Sequence, residues 1–291
     1  MIDQANELRE LVRREANRPQ TSAKGRPWFL VVSGGRDGVG TTTVALSLAI
    51  EASRAGRRVL FVDADANRGD AASICRLEER YTLADVLSSR RSVGEAIQPG
   101  PAGIWVLPGG WTGNSTGNST GNSTGDREEV TPAQFRERLA QPLRAMGERF
   151  DAIVMDVGNG ANRDTTQRWR EADAVLLLTT TDLPAIMDAY AAVKHSAVKE
   201  TSTPVHCLVN MSPHDQAAAG VFARIERSCR RFLGIRLQDA GHLPHDTSMA
   251  KLISHGKFNQ QAANRSSVAD HLAVLVESLI PKNEVLSRQA G

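Results

Sequence analysis

The sequence has little cysteine: three residues, at 75, 207 and 229, out of 291. They form no C-x-x-C pair and cannot all pair with one another, which excludes a disulfide framework or a zinc cage of the usual spacing and points to a reducing compartment. An excess of one charge is also missing, since 35 Lys+Arg against 33 Asp+Glu leave a formal +2. That excludes a protein that grips DNA or lipid through bulk charge. Arg90–Arg91 and Arg230–Arg231 are isolated basic pairs, so there is no strong nucleic-acid signal. No apolar run approaches the roughly 20 residues needed to cross a bilayer. The first 27 residues are charged and hold no stretch fit for a signal peptide. The expectation is a cytoplasmic chain, at most peripheral at the inner face of the membrane, because the last helical segment lacks the Lys/Arg flank of an interfacial anchor.

What is present is a globular core. Hydrophobic residues make up 41% of the chain, and the length fits one large domain. Six short apolar runs, 28–33, 58–63, 104–108, 152–156, 174–179 and 205–210, read as strands. They are apolar almost continuously, as suits strands covered on both faces of a parallel sheet. Helical patterns intervene near 42–55, 131–149, 183–200, 217–233 and 266–279. This alternation predicts an α/β fold, a doubly wound and mostly parallel sheet with helices on both faces. Residues 28–280 form the predicted domain. Before it lie a helical segment over 1–17 and a polar linker over 18–27; after it comes a polar tail, 281–291. The GNST repeat within 113–125 has nothing to bury and predicts a flexible surface loop. The pair His242 and His245, separated by Leu-Pro, reads as a loop near a strand end rather than a metal site.

Chemistry concentrates after the first strand. SGGRDGVGTTTVALSLA is a glycine-rich turn running into a helix, in the G-x-x-x-x-G-K-[ST] frame from Gly35 to Thr42. Its backbone N–H groups and the positive end of the helix dipole make a phosphate cradle. The lysine of that frame is absent, and Thr41 holds its place, followed by Thr42 and Thr43. VDADANRGD and VMDVGNG then set Asp63, Asp65 and Asp156 at strand C-termini, which predicts convergence on the crevice where open α/β sheets bind ligands. Strand-end aspartates are equally common as turn and cap residues.

These segments, in order with YTLADVLSSRRSVGEAI, IWVLPGG, LLLTTTDLPAIMDAYAAVK and LVNM, resemble the MinD/ParA class of P-loop ATPases. The chain is most similar to the FlhG branch, also called FleN or YlxH, which sets flagellar number and position. DQANELR at 3–9 matches that branch's D-Q-A-x-x-L-R activator motif, outside the ATPase fold. The resemblance implies ATP or ADP with Mg²⁺ as cofactor. It places nucleotide contacts at Gly35, Arg36, Gly38, Val39, Gly40, Thr41, Thr42 and Thr43, and at Asn210 on the adenine edge. It gives Mg²⁺ to Thr42, Asp63 and Asp156, and the positioning of the attacking water to Asp65. It also implies a partner surface at Asp3, Gln4, Ala5, Leu8 and Arg9 for an SRP-type GTPase, FlhF. A nucleotide-dependent homodimer and contacts with flagellar basal-body components are further implied.

The departures cluster at the phosphates. The family's loop reads G-K-G-G-x-G-K-[ST]-[ST]; here Arg36 and Thr41 replace both lysines and Asp37 replaces a glycine. A carboxylate about 4 Å from one phosphate charge costs roughly 1 kcal/mol in water and roughly 4 at an effective dielectric near 20. Loss of the lysine removes an attraction of similar size. The expectation is a regulator acting through protein partners, its nucleotide binding weakened or lost. The alternative is an active MinD/ParA-type ATPase in cell-pole, division-site or chromosome or plasmid partition positioning.

Overall fold

A computed structural model describes residues 25–65, 69–78, 80–110, 130–160, 163–196, 203–246 and 267–282. The activator motif at 3–9, the helical segment 1–17, most of the linker and the GNST loop lie outside the described residues.

The first strand, β1 (Trp28–Gly34), runs through the phosphate loop into helix α1 (Thr41–Arg54) and on to β2 (Val59–Asp63). Three short helices follow: α2 (Ala71–Cys75), α3 (Leu83–Leu87) and α4 (Val93–Ala96). The last two begin at capping boxes, Thr82 with Asp85 and Ser92 with Glu95, which satisfy backbone donors that a helix start leaves open. A two-residue strand β3 (Gln98–Pro99) then pairs antiparallel with β4 (Trp105–Leu107). Residues 131–149, expected as one helix, form α5 (Pro132–Phe135), a π turn (Arg136–Ala140) and α6 (Gln141–Arg144). The remaining elements are β5 (Ala152–Asn159), α7 (Arg163–Arg170), β6 (Ala174–Thr179), α8 (Leu183–His195), β7 (Val205–Ser212), α9 (Asp215–Ser228) with a π turn (Cys229–Leu233) at its end, β8 (Leu237–Pro244) and α10 (Ser267–Leu279).

The strands form one sheet in the order β3-β4-β2-β5-β1-β6-β7-β8, parallel except for β3. The six predicted strands are all in it, and the short β3 and the edge strand β8 are additions. The residues of β8, LQDAGHLP, alternate buried or half-buried with exposed positions, as an edge strand does. His242 and Pro244 therefore belong to a strand, not to the expected loop. The His242 Nε2 lies 3.4 Å from an Asp215 carboxylate oxygen, and its ring meets His271 edge-on at 5.2 Å. Among the described residues no three His, Cys, Asp or Glu side chains are grouped to hold a metal ion.

Each sheet face carries its own core. Phe29 and Val31 point to a layer that includes Trp169 of α7 and Val193 of α8. Trp28, Leu30 and Val32 point to the other, which holds Leu46 and Ile50 of α1 and Leu272, Leu275 and Val276 of α10. The buried Arg57 donates to Glu277 at 3.1 Å and pins α10 at the start of β2. The three cysteines are free thiols, and burial pushes each up to about 12, so none is a reactive thiolate at neutral pH. No helix among the described residues is long and apolar enough to cross a membrane.

Candidate functional site

Because β1 lies between β5 and β6, the chain leaves its C-terminal end at the point where successive connections turn to opposite sides of the sheet. A crevice opens there in doubly wound sheets. The loop that fills it is Gly35–Gly40. Gly40 closes the loop with φ 88, a conformation that a side chain resists, and its carbonyl accepts from the Val44 N–H at 2.9 Å to begin α1. Gly35 donates its N–H to the Leu178 carbonyl of β6 and lies against the backbone of α8. The first-turn N–H groups of α1, which lack intrahelical partners, face the same end.

The acidic side of the crevice comes from β2 and β5, where Asp63 and Asp156 are register partners. Asp63 is buried, and its two carboxylate oxygens accept from the backbone N–H of Asp65 at 3.3 Å and of Ala71 at 3.0 Å. Burial, with the Asp156 charge added, pushes it up to about 8. Asp156 is fully buried and pushed up to about 6, by burial and by the charges of Asp65 and Asp70; the Thr42 hydroxyl and the Gly158 N–H pull the other way. Its Oδ1 accepts from Gly158 at 3.0 Å, whereas the buried Oδ2 has no hydrogen-bond partner. The Thr42 hydroxyl thus lies beside this carboxylate without closing a bond to Oδ2. The carboxylate of Asp65 is packed against Gly158, where an added Cβ would stand 2.4 Å from it. The three acids that the sequence placed at strand ends therefore converge, together with Thr42.

The loop's unusual side chains are all engaged. Arg36 is exposed and its guanidinium lies 3.9 Å from Asp182, the N-cap of α8, and 3.8 Å from Asp188 in that helix's second turn. Asp37 accepts from the Asn159 side-chain amide at 2.9 Å. Thr41 donates its hydroxyl to the Asn159 side-chain oxygen at 2.8 Å. Asn210, at the end of β7, is buried and donates to the Val39 carbonyl at 2.8 Å, bracing the loop from its other side. The role of Asn159 had no signal in the loop sequence itself; it follows only from the pairing of β1 with β5, which sets Gly34 opposite Asn159.

A family model described as an AAA domain matches residues 29–194, more than half of the chain. The chain belongs to that family. Within it the protein is a member of the MinD/ParA class of P-loop proteins, FlhG branch. It is 28% identical over 240 residues to the antiactivator FleN of Pseudomonas aeruginosa, an overlap that covers 82% of this chain and 81% of FleN. It is 21% identical over 287 residues to the flagellum site-determining protein YlxH of Helicobacter pylori, covering 98% and 92%. The fold matches the septum site-determining protein MinD of Pyrococcus horikoshii, solved with Mg-ADP, at a TM-score of 0.64 and 18% identity, over 86% of this chain and 95% of that one. Nucleotide and Mg²⁺ thus occur among proteins of this fold.

Proposed function

We propose that this chain is an FlhG-like regulator of flagellar number and placement that works through protein partners, its nucleotide binding weakened or lost. The observation that carries the reading is the state of positions 37 and 41: a carboxylate and a hydroxyl, bonded to Asn159, stand where the family's loop has a glycine and an ammonium. The likeness to YlxH, a flagellum site-determining protein, supports the flagellar setting.

The two halves of the site fit the family's cofactor differently. The acidic half fits Mg²⁺: Asp156 has a buried oxygen without a partner, and Thr42 and Asp63 lie beside it. A cation held by Thr42, Asp63 and Asp156 would supply the charge that these buried acids lack, with Asp65 beside them to position water. The phosphate half does not fit a triphosphate. Position 41 supplies no ammonium, Asp37 adds a negative charge, and Arg36 is engaged by Asp182 and Asp188. Phosphoryl transfer depends on electrostatic stabilisation of the transferring group, so turnover is affected more severely than binding. Asn210 would face the adenine edge if a nucleotide entered. Without a triphosphate to sandwich two copies, the chain is a monomer or associates through another surface.

Recognition then falls to the N-terminal segment. On a helix Gln4, Leu8 and Leu11 share a face, with Gln4 as the delivered polar group and Leu8 as the apolar anchor. The partner is an SRP-type GTPase of the FlhF kind. The experiment is its GTP hydrolysis rate with and without the full chain, and with the Gln4→Ala variant. Stimulation that Gln4→Ala abolishes, and that does not change when Mg-ATP is added, supports the reading; equal rates in all arms contradict it.

A further inference from the structure

Asp37 and Thr41 are the two loop positions that most change the electrostatics of the cradle, and both are bonded to one side chain. The chemistry fixes the direction of each bond. An ionised carboxylate only accepts, so the Asn159 amide nitrogen faces Asp37 at 2.9 Å. The amide oxygen is then left for the Thr41 hydroxyl, at 2.8 Å. Asn159 is half-buried at the end of β5, opposite Gly34 of β1, so its side chain springs from the floor of the crevice. It reaches the loop's tip on one side and the first residue of α1 on the other.

We infer that Asn159 is a positioning residue that latches the phosphate loop, its carboxamide tying the exposed Asp37 carboxylate at the loop's tip to Thr41 at the start of α1, and thereby sets the site against phosphate ligands. Here a carboxylate from the loop itself is held in place by the carboxamide, and the same carboxamide ties that tip to the start of the helix. A phosphate ligand would have to break this bridge or accept the repulsion of Asp37. The three side chains therefore act as one unit, and changing positions 37 and 41 alone leaves Asn159 without its partners inside the crevice. The latch itself stands on the nucleotide-free geometry; only its consequence for phosphate ligands rests on the reading proposed above.

The test is hydrogen–deuterium exchange of the nucleotide-free full chain, followed in peptides spanning the loop and the first turn of α1. Asn159→Asp sets two carboxylates against each other and should speed exchange there about tenfold, the factor that corresponds to about 1.4 kcal/mol. Adding Asp37→Asn restores a donor opposite the new carboxylate and should return exchange to the wild-type rate. Failure of that rescue overturns the latch. Should Asn159→Asp not fold, Asp37→Ala, on an exposed loop residue, gives the second route. It should speed loop exchange, and Asn159→Ala added to it should bring no further acceleration; independent, additive accelerations overturn the latch. A parallel titration of the wild type with Mg-ATP separates the two ideas, because tight binding there removes the weakened-nucleotide reading while the exchange results still decide the latch.

Discussion

Asp63 and Asp156 face each other as register partners on adjacent parallel strands, both buried, and the charge of Asp156 helps to raise the pKa of Asp63. Two acids held this way bind protons more tightly in the folded protein than in the unfolded chain. Asp63 moves from its ordinary 3.8 to about 8, and Asp156 from 3.8 to about 6. Between these limits the folded state carries more protons, so stability is greatest at low pH within the window and falls as pH rises through it. One pKa unit corresponds to about 1.4 kcal/mol, and the coupled pair should cost a few kcal/mol by the alkaline end. Urea unfolding of the wild type should therefore show a midpoint that declines from mildly acidic to mildly alkaline pH, and Asp63→Asn should remove most of that slope. A midpoint that rises with pH would contradict the arrangement.

Gly35→Ala should destabilise the protein through the loop's seat on α8. The added Cβ would lie 2.4 Å from the Ala189 nitrogen and 2.7 Å from the Asp188 carbonyl carbon, both backbone atoms that cannot rotate away. Overpacking of this kind costs about 1–3 kcal/mol. Thermal melting of the variant measures it, and an unchanged Tm would show that the loop does not pack on α8 as described.

Arg36→Ala should by contrast leave stability almost unchanged. Its two ion pairs are long, at 3.9 and 3.8 Å, and lie at the surface. Exposed pairs contribute about 0–1 kcal/mol. A loss well above that in urea unfolding would mean that Arg36 has a structural part beyond these pairs.

Much of this site was legible in the residues alone. The acids at strand ends and the glycine-rich turn were placed correctly because continuous apolar runs locate buried parallel strands, and ligands gather at their C-terminal ends. β8 was not legible: LQDAGHLP has Asp239, Gly241 and His242 where a central strand would carry apolar side chains, since an edge strand buries little. The short helix α7, RDTTQRWR, was missed for a similar reason, as its charged sequence has little apolar face apart from the buried Trp169. Asn159 was hidden differently. VMDVGNG drew attention to Asp156, while the bond from Asn159 to a loop more than a hundred residues away depends on which strands are neighbours. The brace from the Asn210 amide nitrogen to the Val39 carbonyl was hidden too, being set by tertiary packing and not by local pattern.

Restoring the family's loop should restore affinity in steps. Asp37→Gly with Thr41→Lys returns the ammonium and removes the carboxylate, but leaves the Asn159 carboxamide in the crevice. Adding Asn159→Ala should strengthen Mg-ATP binding about tenfold further, or about 1.4 kcal/mol. Equal affinities of the double and triple variants, measured by calorimetry, would show that Asn159 has no part in excluding the ligand.

The most direct measurement is a calorimetric titration of the full wild-type chain with Mg-ATP, with phosphate release followed on the same preparation. The account predicts no saturable heat below millimolar nucleotide and no turnover above the spontaneous rate. Micromolar binding accompanied by measurable hydrolysis would contradict it.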